Sequence, residues 1–109
     1  MPKKATKKTK KKAVQRAFKP TEKIDHYNDY YGAKTRSERE LNLVTGNDRG
    51  MYNYVIKHKQ SLLKKAKANH AATVRDIVSH GDYPASHYGI SARNIRKKYL
   101  HDVIAGIDE

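Results

Sequence analysis

The sequence predicts an all-α protein: a small domain of three to four helices, one of them long, behind a disordered lysine-rich N-terminal arm. Two observations predict the helices and a third predicts the arm. Apolar residues recur at helical spacing from Tyr52 to Val78. Hydroxyl residues stand three positions before glutamates at the start of another apolar run, around Thr35 to Glu40. Finally, positive charge is concentrated at one end of the chain.

The chain has 109 residues, with 24 Lys and Arg against 11 Asp and Glu, a net charge of +13. Nine of these cations (Lys3, Lys4, Lys7, Lys8, Lys10, Lys11, Lys12, Arg16 and Lys19) fall in the first nineteen residues, which contain no acid. The other 15 face 11 acids, a surplus of only four. A block of like charge repels itself and has nothing to bury, so residues 1–20 are expected to form a disordered arm. Residues 21–109 are left for the helical domain, with Pro20 marking the boundary by removing a backbone donor and restricting Lys19. The arm is built from Lys, Ala and Thr, and it resembles the lysine-rich tails of linker histones and the extensions of ribosomal proteins. That resemblance is one of composition, and it implies a polyanionic partner. A solubilising or nuclear-import tail is the alternative.

After Pro20, Ile24, Tyr27, Tyr30 and Tyr31 sit at rough helical spacing, and Gly32 is a natural stop for a first short helix. The second helix opens on one of two overlapping capping boxes, Thr35 with Glu38 or Ser37 with Glu40. It carries Leu41 and Val44 inward. The run TGNDRG, residues 45–50, reads as a turn. The long helix follows. Tyr52, Val55, Ile56, Leu62, Leu63, Ala66, His70, Thr73, Val74, Ile77 and Val78 fall on one arc, while Lys57, Lys64, Lys65 and Arg75 fall opposite. Unbroken, it would be about 40 Å long, and Asn69 and His70 are the expected break point. Lys59 and Lys67 lie at the edges of the apolar arc and are expected to snorkel outward.

Gly81 and Pro84 end that helix, and Ser91 is an N-cap for a last helix over Ala92 to Ala105. Ile95, Tyr99, Leu100, Val103 and Ile104 form its packing face, and Asn94, Lys97, Lys98 and His101 point away, with Arg93 at the border. Arg96 falls inside the apolar arc, where periodicity alone gives it no role. The order Ala85, Gly89, Ile90, Ser91, Ile95 resembles the helix-turn-helix pattern of bacterial and phage regulators. The resemblance implies that Ala92, Arg93, Asn94 and Lys97 face the major groove, where Arg can fork onto guanine and Asn can pair with adenine. Pro84 stands where the first helix of that motif should already run, and Lys98 occupies a position that is usually apolar. The sequence therefore favours a plain capped helix after a loop, with base reading as the minority alternative.

The absence of cysteine excludes disulfides and thiolate chemistry. No apolar run approaches the length of a membrane span. His80, Asp82 and His87 cluster without ligand spacing, so no metal and no cofactor is expected. Glycine-rich phosphate loops, clustered nuclease carboxylates and nucleophile motifs are missing, which argues against an enzyme. The expected partner is nucleic acid, DNA rather than RNA, in an architectural or regulatory role. The phosphates would be met by the arm and by Lys57, Lys64, Lys65, Arg75, Arg93, Asn94, Lys97 and Lys98. A structural component of a nucleoprotein assembly, such as a phage virion or ribosome, is the alternative. There the arm would thread into nucleic acid while the helices dock on protein neighbours. The corresponding locations are cytoplasm or nucleoid, with nucleus or virion interior for the alternatives. Heptad spacing of Ile56, Leu63 and Ile77 also admits a homodimer.

Overall fold

A computed structural model describes residues 20–23 and 31–108. The arm, and residues 24–30 of the expected first helix, lie outside the described residues. The described elements are helices: α1 (Arg36–Asn47), α2 (Arg49–Ala68), α3 (His70–Ser79), the single turn α4 (Ala85–Tyr88), a 3-10 turn (Ala92–Asn94) and α5 (Lys97–Gly106). Of the two capping boxes, the first is used. Thr35 is the N-cap, and its Oγ1 accepts from the Glu38 amide at 3.1 Å. Glu38 returns the contact one residue early, accepting from the Lys34 amide at 2.8 Å. Ser37 is spent elsewhere, donating its hydroxyl to Glu22 at 2.6 Å.

The turn expected at residues 45–50 shrinks to one residue. Thr45 is buried and its hydroxyl bonds back to the Leu41 carbonyl at 2.8 Å, so α1 runs on through Gly46 to Asn47. Asp48 alone is non-helical (φ −82, ψ 120), and it caps α2 by accepting from the Met51 amide at 3.0 Å. The long helix divides at Asn69, as expected, and is also kinked at His58 (φ −116, ψ 23), which the periodicity did not foreshadow. Asn69 is extended (φ −150, ψ 91), and its side chain caps α3 through the Ala72 amide at 3.0 Å.

The last helix is shorter than its periodicity predicts. In place of one helix over Ala92–Ala105, a 3-10 turn is followed by extended Ile95 and Arg96 and then by α5. Ser91 makes no side-chain cap; its amide instead donates to the Ser37 hydroxyl. Tertiary bonds explain the break. The Asn94 carbonyl accepts from the Thr35 hydroxyl at 2.6 Å, and the Arg96 amide donates to Glu38 at 2.8 Å. A continuous helix would need that amide for its own ladder. With α4 only one turn long, the two-helix geometry of a helix-turn-helix is not formed here.

α2 is the centre of the fold, packed against α1, α3 and α5. The core contains Leu41, Met51, Val55, Leu62, Val74, Ile77, Leu100 and Ile104, all essentially inaccessible. Each contributes about 1.5–3 kcal/mol by burial. The start of α2 presses on the chain after α3. A Cβ at Gly50 would collide with the His80 carbonyl, and one at Gly81 would strike the Tyr88 hydroxyl and the Met51 side chain. Asp48 bridges this contact, accepting from the Asp82 amide at 3.1 Å and from the Tyr88 hydroxyl. On the other side, Tyr54 stacks on His80 with centroids 3.6 Å apart and donates to Asp76 at 2.5 Å.

Arg96, without a role in the helical pattern, pairs with Glu38. Its Nε and Nη2 donate to the two carboxylate oxygens at 2.8 Å each, and Nη2 also reaches the Gly32 carbonyl at 3.0 Å. The Glu38 side chain is fully buried, that of Arg96 29% exposed. Bidentate charge-assisted bonds of this kind are strong, but the carboxylate must give up its hydration to form them. The Glu38 hydrogen bond is the first cause holding the Arg96 guanidinium above its ordinary pKa.

Glu38→Ala should therefore lower the unfolding free energy by about 3 kcal/mol, since it strands a partly buried guanidinium and two backbone amides. Urea titration reads this directly, and a loss below about 1 kcal/mol would show that the pair adds little. A second expectation concerns acid. Burial pushes the Asp48 carboxyl up, but hydrogen bonds from Tyr88 and the Met51, Asp82 and Gly50 amides outweigh it and hold the group below its usual 3.8. A carboxyl lowered in the folded state stabilises fully above its unfolded pKa and loses that contribution as pH falls through the folded value. Stability should thus decline below about pH 4, and Asp48→Asn should flatten part of that decline. An unchanged acid profile for Asp48→Asn would refute this role.

Candidate functional site

The candidate site is built where the last turn of α2 meets the first turn of α5. Leu63 and Ala66, one helical turn apart on α2, form an apolar floor that is half-buried to buried. Lys67 borders it on the α2 side, and Lys97, Lys98 and His101 border it on the α5 side, all exposed. The groove they line holds about 290 Å³. It exists because the inward residues Leu100, Val103 and Ile104 dock α5 on α2. Lys97 and Lys98 are thereby left on the outer side of the α5 first turn.

Charge in the groove is mostly uncompensated. Lys67 and Lys97 have no ion-pair partner among the described residues. Lys98 lies 3.3 Å from Asp102, which also accepts from His101 Nδ1 at 3.2 Å. Those contacts, that of His101 first, hold the Asp102 carboxyl below its ordinary range. Three lysines therefore stand against one carboxylate. A larger cleft of about 460 Å³ between α1 and α5 is lined by Tyr31, Asn42, Tyr99 and Asp102 among others, and by no cation among the described residues. It does not suit an anion.

The residues predicted for nucleic-acid contact separate into groups. Lys57 and Lys64 are exposed on α2, Arg75 on α3 and Arg93 on the 3-10 turn. Lys65 is committed to Asp76 at 3.1 Å, so much of its charge is neutralised in place. Burial pushes the Asp76 carboxyl up, but its bonds to Tyr54 and Lys65 hold it low. Lys3, Lys4, Lys7, Lys8, Lys10, Lys11, Lys12, Arg16 and Lys19 lie outside the described residues. Lys67 and His101 are in the groove although neither was expected to contact nucleic acid; periodicity puts His101 on the outward face with Lys97 and Lys98. Lys67 reads as an edge residue of an apolar arc, and only the docking of α5 brings it opposite Lys97.

Asn94 requires a correction. Expected to face outward toward bases, it is 1% exposed. Its Oδ1 accepts from the Thr21 amide at 2.6 Å and the Glu22 amide at 3.1 Å, while its Nδ2 donates to the Thr21 hydroxyl at 3.1 Å. Glu22 in turn accepts from the Ser37 amide at 2.8 Å. Asn94 is thus a clasp that holds residues 21 and 22 onto the domain, and its amide has no edge left for a base. The misplacement follows from the helix break: in a 3-10 turn the side chain of residue 94 points where helical geometry would not send it. His70 is also structural, its Nε2 lying 3.2 Å from the Ala92 carbonyl.

Comparison with protein-family models, with curated protein sequences and with solved structures finds no match for this chain. The site must be read from its own chemistry.

Asn94→Ala should cost about 1 kcal/mol of stability by removing the partner of the part-buried Thr21 and Glu22 amides. It should not change any preference between DNA sequences. A shift in sequence preference with unaltered thermal stability would restore Asn94 as a base reader.

Proposed function

We propose that this protein binds nucleic acid, DNA above all, by neutralising phosphates and without transforming its ligand. The observation that carries this reading is the distribution of charge: nine cations and no acid in the first nineteen residues. Such a segment gains far more from a polyanion than from water, because each phosphate it neutralises releases condensed counterions. The groove at α2 and α5 supplies a second, smaller cationic surface on the folded part. Lys57 and Lys64 are further exposed cations on α2, outside the groove.

The placement of residue 21 supports joint action by the two surfaces. Thr21 is bonded to Asn94, which precedes Lys97 by three residues, a reach of about 11 Å at most along the backbone. The arm is therefore rooted near the groove, and one polyanion can meet both. Among the described residues, no helix is long and apolar enough to cross a membrane.

Removal of residues 1–19 should weaken DNA binding steeply and flatten its salt dependence. The slope of log affinity against log salt should shrink by about 0.9 for each phosphate that the shortened chain no longer neutralises. Fluorescence anisotropy over a salt series measures it, and an unchanged slope would refute the arm as the main electrostatic anchor.

A further inference from the structure

We propose that the groove between α2 and α5 seats an unpaired strand, specifically single-stranded DNA. This rests on the nucleic-acid reading above and narrows it to one form. The groove combines two features that a duplex cannot use together. Its floor, Leu63 and Ala66, is apolar, and cations border that floor on both helices, Lys67 on one and Lys97 and Lys98 on the other. The outside of a duplex offers phosphates and sugars while its bases are paired within, so an apolar strip flanked by lysines gains only the phosphate contacts. An unpaired strand carries a base beside each phosphate. It can lay a base or sugar edge on Leu63 and Ala66 while adjacent phosphates reach the lysines on either side. At about 290 Å³ the groove has room for roughly one nucleotide.

The same lining separates DNA from RNA. Among the described residues, no Ser, Thr, Asn or Gln lines the groove, whose polar groups are the ends of three lysines and His101. A 2′-hydroxyl pressed onto the apolar floor of Leu63 and Ala66 would lose water there without gaining a partner from the floor itself, whereas the C2′ of deoxyribose would pack without loss. Asp102, bonded to Lys98 and His101, repels phosphate at the far side of α5 and keeps the track on the line from Lys67 to Lys97.

The test uses the full chain and three labelled ligands of equal length, an oligo-thymidine, an oligo-uridine and a duplex, in anisotropy titrations at physiological ionic strength. Oligo-thymidine is expected to bind about tenfold more tightly than the duplex and more tightly than oligo-uridine. Leu63→Gln should bring that preference to within about twofold, because it removes the apolar floor and leaves the bordering lysines in place. If that variant loses its helical circular dichroism, Leu63→Ala replaces it, and the wild-type comparison stands by itself. Equal or tighter binding of the duplex overturns this inference but leaves nucleic-acid binding intact. Equal binding of oligo-uridine overturns the assignment to DNA. Failure to bind any of the three ligands overturns the underlying reading as well.

Discussion

The buried carboxylate of Glu38 is the constraint around which the rest of this fold is arranged. Four donors converge on it: the Lys34 amide, the Arg96 amide, and Nε and Nη2 of Arg96. A carboxylate removed from water is tolerable only when its lone pairs are filled this completely. Filling them joins the first turn of α1 to the chain before α5, Glu38 and Arg96 being 58 residues apart in sequence. It also dictates local structure. The Arg96 amide cannot both serve Glu38 and continue a helix from Ala92, so the helix breaks and restarts at Lys97.

Two further polar junctions repeat this logic. Asp48 caps α2 and at the same time holds Asp82 and Tyr88, so the bend between α1 and α2 is fastened to the loop after α3. Asn94 fastens residues 21 and 22 to the opposite side. In a chain this charged, with a modest core, such junctions supply the specificity of arrangement that apolar packing by itself leaves loose. They also set the surface. The break that Glu38 imposes starts α5 at Lys97, which puts Lys97 and Lys98 in its first turn across from Lys67. The cationic groove is thus a consequence of a buried ion pair some residues away from it.

Much of the fold is legible in the sequence. The apolar arc from Val55 to Val78, the break at Asn69, the cap at Thr35 and the packing face of α5 all rest on local rules: periodicity, capping chemistry and turn residues. The departures have one common cause. Thr45 and Gly46 look like a turn but stay helical because Thr45 is buried and bonds back to Leu41. Ser91 looks like a cap but makes no side-chain cap, and its amide donates to the Ser37 hydroxyl. Asn94 looks like a surface reader but is enclosed. In each case contacts made on packing, and not the local rule, fix the conformation of the segment. Arg96 is the instructive exception, because its place inside an apolar arc was itself the sign of a buried acid.

By itself, then, the sequence determined the class of structure, the uneven charge and the helices as segments, since these depend on residue type and spacing along the chain. Only the tertiary structure decided which polar side chains bind the protein to itself and which remain exposed. Spacing says that Lys65, Lys67, Asn94, Arg96 and Lys97 are all polar residues near helix faces. It cannot say that Asp76 takes the first, Thr21 the third and Glu38 the fourth, while Lys67 and Lys97 are left facing each other across an apolar floor. Those assignments depend on contacts between segments far apart in the chain, and they exist only once the helices are packed.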